Sequence, residues 1–454
     1  MEKKIFLPLY LVFTLSSCHL YQPYERPDIP ISDSLFRETA SIADTSSIAS
    51  LPWKELFTDS VLQQLIELGL KNNADLNIAR SKVKEAEALL RSSKWALLPS
   101  VALSPQGTIS KTGHQEAAKS YNLAVTSNWE VDIFGKLHNN KRGAAAQMEL
   151  SQAYEQAVQT QLISTIANSY FTLLMLDKQA DISQRTALSW KESVRVMRGL
   201  MRAGQATELS VNQTEANQFA VEASVVSMNQ QIHEVENALS TLLGIPPQAI
   251  SRTKLDKQVF PDTLTIGIPL RLLAHRPDIR QKEMELAKAF YASQTARAAF
   301  YPNVTLGGSA GWTNTATGAI SNPGQWLLSA VGSIFQPLFN KGTNLANLKV
   351  TEARQEQSLL AFQQSLLDAG KEVNNALTQW QSARKKIQVH QQEIASLQSA
   401  LHNAGMLMQY GSNNYLEILT AQQALLRAEL DMVNDQFDEI QGVVYLYHAL
   451  GGGK

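Results

Sequence analysis

The stretch YNLAVTSNWEVDI, Tyr121 to Ile133, decides the fold, because its side chains alternate in character at every step. Tyr121, Leu123, Val125, Ser127, Trp129, Val131 and Ile133 point one way; Asn122, Ala124, Thr126, Asn128, Glu130 and Asp132 point the other. A period of two is the signature of a β-strand with one apolar and one polar face. VALSPQGTI, from Val101, opposes Val101, Leu103 and Ile109 to Ser104, Gln106 and Thr108. Further on, Val304, Leu306, Ala310 and Trp312 oppose Asn303, Thr305, Ser309 and Thr313, and QWLLSAVGSIF, from Gln325, forms a fourth strand that alternates less cleanly. Strands are expected over about 100–110, 121–133, 302–314 and 325–337.

Strands of about ten residues have the length of tilted outer-membrane strands. A half-buried sheet in a soluble domain has the same pattern. Two features favour the membrane: Asn, Thr, Ser and Glu on the wet faces, and four of the seven tryptophans, Trp95, Trp129, Trp312 and Trp326, in or beside the strands, where an aromatic girdle belongs. Four strands cannot close a barrel, and lipid does not tolerate an open edge. A chain of this kind that spans a membrane has to oligomerise.

The remainder reads as helix, and it repeats. DLNIARSKVKEAEALLRSSKWALLP, from Asp75, and DIRQKEMELAKAFYASQTARAAFYP, from Asp278, each run to a proline, Pro99 and Pro302, where helix gives way to strand. DIFGK (Asp132 to Lys136) matches PLFNK (Pro337 to Lys341), RAGQATELSV from Arg202 matches QYGSNNYLEI from Gln409, and the LLG ending at Gly244 matches the ALG ending at Gly451. The spacing between counterparts drifts from 203 to 205 to 207 residues, as a duplication with tiny insertions would give. Helices of about 60 residues are expected from Gly143 to Ala203 and from Asn344 to Tyr410, each roughly 90 Å long at about 1.5 Å per residue. Apolar residues at three- and four-residue spacing suit side-by-side coiled-coil packing. Gly204 and Gly411 end these helices in turns, and Thr207 and Asn413 or Asn414 are placed to cap the returning helices.

The N-terminus, MEKKIFLPLYLVFTLSSC, has a basic start and an apolar run from Ile5 to Leu15, of signal-peptide length and too short to span a bilayer. LSSC, ending at Cys18, resembles a bacterial lipoprotein signal, in which cleavage after residue 17 leaves Cys18 as a lipidated first residue. His19 rather than Asp after it resembles sorting to the outer membrane, and proline-rich residues 18–52 read as a tether.

Composition excludes other classes. With 40 basic against 41 acidic residues and no basic block, nucleic acid is not an expected partner. One cysteine rules out an internal disulfide framework or a Cys-based metal site. No HExxH, P-loop or GxGxxG motif is present, the eight histidines are scattered, and His275 reads as a helix-start residue, so no enzymatic machinery, cofactor or metal is expected. Met197, Met201, Met406 and Met408 near the predicted tips read as coil packing rather than soft-metal ligands.

Three blocks, PWKELFTDSVLQQLIELGLKNNADLNIARSKVKEAEALL from Pro52, NWEVDIFGK from Asn128, and LLAHRPDIRQKEMELAKAFYASQTARAAFYPNVTLGGSAGW from Leu272, resemble the TolC/OprM-type outer-membrane efflux factors of the lipoprotein (NodT-like) branch. The resemblance covers nearly the whole chain from about Tyr21. It implies an α+β membrane protein: a homotrimer with a twelve-stranded β-barrel in outer-membrane lipid, four strands per protomer, continued by an antiparallel α-helical coiled-coil tunnel in the periplasm. Residues 53–244 and 270–451 would be the two repeats, and 245–269 an equatorial linker. It further implies passive export of small toxic compounds, energised by an inner-membrane pump through a periplasmic adaptor that docks near Arg202, Gly204, Gln205, Tyr410, Gly411 and Ser412. In the TolC pattern, aperture acids follow the second tip glycine. The first falls on Glu417, whereas the next falls on Thr420, a departure that halves the ring charge. Two alternatives remain: a duct for type I protein secretion, or a non-conducting periplasmic coiled-coil lipoprotein scaffold, which leaves the polar strand faces without a purpose.

Overall fold

A computed structural model describes residues 22–28, 51–260, 276–314, 324–409 and 415–452. Its elements are helices α1 (Trp53–Leu56), α2 (Ser60–Asn72) and α3 (Ala74–Trp95), strands β1 (Ser100–Ser110) and β2 (Ala118–Val131), and helices α4 (Lys136–Arg202) and α5 (Glu208–Leu242). Then come α6 (Pro277–Ala298), β3 (Asn303–Thr313), β4 (Gln325–Phe335), α7 (Thr343–Gln409) and α8 (Tyr415–Ala449).

The duplication is visible element by element. Both helices before the strands, α3 and α6, have 22 residues; both long helices, α4 and α7, have 67; both returning helices, α5 and α8, have 35. Strand registers repeat as well. Ser100 pairs with Asn128 and Ser110 with Ala118, while their counterparts Asn303 and Thr313 pair with Phe335 and Gln325. Even a side-chain bond recurs: Trp129 Nε1 donates to the Leu97 carbonyl at 3.0 Å, and Gln336 Nε2 donates to the Phe300 carbonyl at 2.7 Å.

Several boundaries differ from the sequence reading. Pro99 and Pro302 stand one residue before their strands, as expected of residues that break a helix without donating to a ladder. Strand β2 starts earlier than Tyr121 and ends at Val131, so Asp132 and Ile133 are not strand residues. Asp132 instead accepts from the backbone N–H of Leu137 (3.0 Å) and His138 (2.7 Å), satisfying free donors at the start of α4. That cap lets α4 begin at Lys136, well before Gly143, and end at Arg202; α7 starts at Thr343 and ends at Gln409. Strand β4 stops at Phe335 rather than 337. The PLFNK counterpart of DIFGK also slips by two: Gly135 (φ +75°) and Gly342 (φ +79°) take the left-handed turn before each long helix, so the spacing has already reached its final value there.

The chain divides into two compact units. The first holds described residues 22–28, 81–153, 280–314 and 324–364. It contains one antiparallel sheet in the order β1-β2-β3-β4, so that β2 and β3 join the two repeats and β1 and β4 are the edges. Residues 22–28 lie on the helices of this unit: the Tyr24 ring meets Phe290 edge-on, its N–H donates to Tyr291 Oη at 3.3 Å, and Arg26 stands 3.7 Å from Glu283 and over the Phe362 ring.

The second unit holds described residues 51–80, 154–260, 276–279, 365–409 and 415–452 around the main apolar core. Trp53, Phe57 and Ile66 from the first helices, Ile163, Tyr170 and Phe171 from α4, Ile250 and Leu255 from the segment after α5, and Val444, Tyr447 and Leu450 at the end of α8 are buried together. Of the expected linker, 245–260 therefore joins this core, and 261–269 lies outside the described residues.

Two polar hubs pin that core. Asp59 caps α2 through Val61 N–H (2.9 Å) and also accepts from Tyr170 Oη at 2.8 Å, Gln258 Nε2 at 2.9 Å and the Thr253 hydroxyl. Burial alone would raise its carboxyl, but these donors outweigh it and hold the group below its ordinary value. Arg276, almost fully buried, pairs with Asp278 (2.7 Å) and Glu372 (2.6 Å) and donates to the Ala449 carbonyl at 2.7 Å, closing the end of α8 against α7.

Candidate functional site: sheet faces, tips and gate

The register aligns the faces of all four strands. Leu103 lies beside Val125, which lies beside Ala310, which lies beside Leu328. One rung away, Pro105, Leu123, Trp312 and Trp326 form a second apolar row. Among the described residues nothing covers this side: Val101 is 69% exposed, Ile109 73% and Leu328 85%. A half-buried soluble sheet would pack such a face against its own core, and a bare apolar surface of this kind marks a lipid or protein contact. None of the described helices is long and apolar enough to cross a membrane.

The opposite face is polar and bonded to itself. Ser104 Oγ meets Thr126 Oγ1 at 3.3 Å, Thr305 Oγ1 meets Ser333 Oγ at 2.7 Å, and Ser309 Oγ meets Ser329 Oγ at 2.7 Å. Near its helical end, Lys136 Nζ donates to Glu130 Oε1 at 2.9 Å. The imperfect alternation of β4 now has a location: Leu327, Val331 and Phe335 are apolar residues on this polar side.

Trp312 and Trp326 pack with ring centres 4.9 Å apart at the loop end of the sheet, while Trp129 and Trp95 stand at its helical end. Aromatic side chains therefore mark both ends of the apolar band, as at two membrane–water boundaries.

The first tip follows the expected chemistry. Gly204 adopts φ +73°, its N–H donates to the Met201 carbonyl at 3.0 Å, and the Gln205 N–H donates to the Leu200 carbonyl at 2.9 Å. This is a Schellman ending, which a side chain at residue 204 would strain. Thr207 Oγ1 accepts from Ser210 N–H at 3.2 Å and starts α5. Arg202, Gly204 and Gln205 are all exposed. Tyr410, Gly411 and Ser412 of the second tip, the caps Asn413 and Asn414, and Cys18 lie outside the described residues.

Glu417 is exposed in the first turn of α8, where an acid is favoured by the helix dipole, and Thr420 lies one turn on, its hydroxyl donating to the Leu416 carbonyl at 2.8 Å. Among the described residues Glu417 forms no ion pair. What the sequence did not reveal is how this helix is held. Tyr415 Oη shares a 2.8 Å hydrogen bond with Thr214 Oγ1, Gln422 Nε2 donates to Ser193 Oγ at 3.3 Å, and Gln423 Nε2 donates to Asn217 Oδ1 at 2.8 Å. Neutral side-chain bonds thus tie the start of α8 to α4 and α5. Of the tip methionines, Met197 is buried and Met406 exposed.

The model of the family described as "Outer membrane efflux protein" matches residues 65–245 and 268–452. The chain belongs to the outer membrane efflux protein family. The cation efflux system protein CusC of Escherichia coli O6:H1 is 28% identical over 98% of both chains, and the solvent efflux pump outer membrane protein SrpC of Pseudomonas putida is 29% identical over 98% of both. The solved structure of the outer-membrane channel OprN superposes with a TM-score of 0.88 at 27% identity, covering 95% of this chain and 99% of that one. Members of the outer membrane efflux protein family are channels and not enzymes, and they are trimers that work in tripartite systems. The chain therefore has the family's fold and place: an outer-membrane efflux channel with four strands per protomer of a twelve-stranded barrel, continued by long helices.

Proposed function

We propose that this chain is the passive exit duct for small toxic compounds, with the polar sheet face lining the lumen and the bare apolar face in lipid. The observation that carries the reading is the division of one sheet into a self-bonded polar face and an uncovered apolar one. An inner-membrane pump supplies the energy, and a periplasmic adaptor engages the tips through Arg202, Gly204, Gln205, Tyr410, Gly411 and Ser412. Relatives named for cations and for solvents resemble this chain to the same degree, which fits a duct whose wall selects little and whose pump selects cargo.

Three copies of Glu417 around the threefold axis form the periplasmic gate, a carboxylate ring that attracts cations, with Thr420 adding no charge. Acylated Cys18 anchors the chain, and the tether that follows docks through Tyr24 and Arg26. The test is single-channel conductance in planar bilayers with wild type and Glu417→Gln. Cation-preferring steps that lose their preference in the variant support both duct and gate. Steps unchanged by the variant keep the duct and remove Glu417 from the gate. A folded trimer that never conducts and does not restore toxin tolerance to a channel-deficient strain would return the protein to a scaffold.

A further inference from the structure

Strand β4 breaks the rule that governs the polar face of the sheet. On β1, β2 and β3 that face carries hydroxyls, amides, glycines and alanines, and its one charged residue within the strands, Glu130, is paired with Lys136 at 2.9 Å. On β4 the same face reads Gln325, Leu327, Ser329, Val331, Ser333, Phe335, with an apolar residue at every second place. Val331 is 61% exposed and Phe335 67%, so among the described residues neither is covered. At about 3.3 Å per residue, Leu327, Val331 and Phe335 mark a line of roughly 26 Å, nearly the length of the strand.

That line borders a trough. Strand β3 sets Gly311 beside Leu327 and Gly307 beside Val331. Nothing around Gly307 demands glycine: its backbone is not left-handed, and a Cβ placed there would come no closer than 3.8 Å to its neighbours across the sheet. A side chain would fit, and its absence leaves Val331 flanked by bare backbone. At the helical end, Phe335 and Asn303 also line a hollow of about 200 Å³, together with Phe134 and Tyr301, whose stacked rings lie 5.0 Å apart. An apolar cavity of roughly 150 Å³ already accepts benzene.

We propose that the hollow and the trough form a track for cargo with an apolar body, one in each protomer, leading from the end of the helices along the inner wall of the barrel. This rests on the reading of the polar face as the lumen lining. The chemistry follows from the surroundings. Hydroxyls and amides with one neutralised acid set no charge requirement, whereas Leu327, Val331 and Phe335 favour any molecule that removes apolar surface from water against them. Contact on one side only keeps the hold weak, as passage through a channel requires: favourable enough to enter and loose enough to leave.

Single-channel block by two cations of equal charge tests the track: tetramethylammonium, and tetrabutylammonium with its larger apolar surface. Wild type should be blocked at lower concentrations of tetrabutylammonium than of tetramethylammonium. The triple variant Leu327→Gln, Val331→Thr, Phe335→Gln should raise the half-blocking concentration of tetrabutylammonium about tenfold, the effect of about 60 Å² of apolar contact, without moving that of tetramethylammonium. Gly307→Thr fills the trough while leaving the three apolar residues in place, and it should raise the same concentration. Unchanged tetrabutylammonium block in the triple variant overturns the track; if that variant forms no trimer, unchanged block in Gly307→Thr does so. Equal weakening of block by both ions also overturns it, since charge and not apolar surface is then being read. A folded trimer that neither conducts nor restores toxin tolerance to a channel-deficient strain removes the duct itself, a result distinct from the others.

Discussion

Replacing Val125 by arginine should damage the protein far more than replacing its neighbour Thr126, although both lie mid-strand and differ only in which face they serve. Val125 stands near the centre of β2, flanked on the apolar face by Leu103 and Ala310, whereas Thr126 bonds to Ser104 on the polar face. At about 3.3 Å per residue and a tilt of about 40°, an 11-residue strand rises roughly 28 Å, close to the apolar band of an outer-membrane barrel of about 25 Å. Val125 therefore sits near the bilayer midplane, where an arginine on the lipid face costs about 2–4 kcal/mol. With a tenfold change for every ~1.4 kcal/mol, the folding equilibrium constant of each protomer falls by roughly one and a half to three powers of ten. Thr126→Arg projects into water and should change stability by less than about 1 kcal/mol. The assay is urea unfolding of trimers folded into phospholipid vesicles, with Val125→Leu as the control for bulk. Equal effects of the two arginines, or a larger effect at 126, would refute the assignment of the faces.

Arg276→Met should destabilise the second unit by about 2–3 kcal/mol, at the low end for breaking a buried ion pair because Asp278 and Glu372 remain half exposed; the melting of the helical signal reads this out. Asp59 is held below its ordinary value, so its contribution is complete above the normal carboxylate range and is lost as pH falls through its lowered folded value. Asp59→Asn should therefore lower stability at neutral pH and flatten its decline below about pH 4, and an unchanged acid limb would reject the hub. Gly204→Ala, forced to φ +73°, should cost about 1 kcal/mol and lower local amide protection at the first tip while the sheet is unaffected. Tyr415→Phe removes one tie on α8 and should raise the open probability of single channels without altering the size of the step.

Local patterns were legible because they depend on neighbours in the chain. Alternation over Tyr121–Val131 reports a strand and its two faces whatever lies beside it, and Gly204 with Thr207 spells a turn and a cap. The repeat was readable for the same reason, although its exact spacing was not: DIFGK and PLFNK matched by letters, and the left-handed turns at Gly135 and Gly342 corrected the match by two residues. Asp132 shows the limit. Its place in the alternation made it a lumen residue, but the free N–H groups of Leu137 and His138 claimed it as a cap, a competition visible only once the helix start is known.

Whether the apolar side of the sheet is covered was likewise undecided by alternation, since a soluble sheet alternates too; the structure leaves Val101, Ile109 and Leu328 bare. Asp59 meets Tyr170, Thr253 and Gln258 across more than a hundred residues, and Arg276 meets Glu372 and the end of α8, with no local signal for either. What the amino-acid order determined by itself was every feature governed by a residue's own backbone preference and those of its near neighbours: strand faces, helix ends, turns and the duplication. Tertiary structure alone decided which distant side chains meet, which strand lies beside which, and which edges stay open, because those depend on where packing brings the chain back to itself.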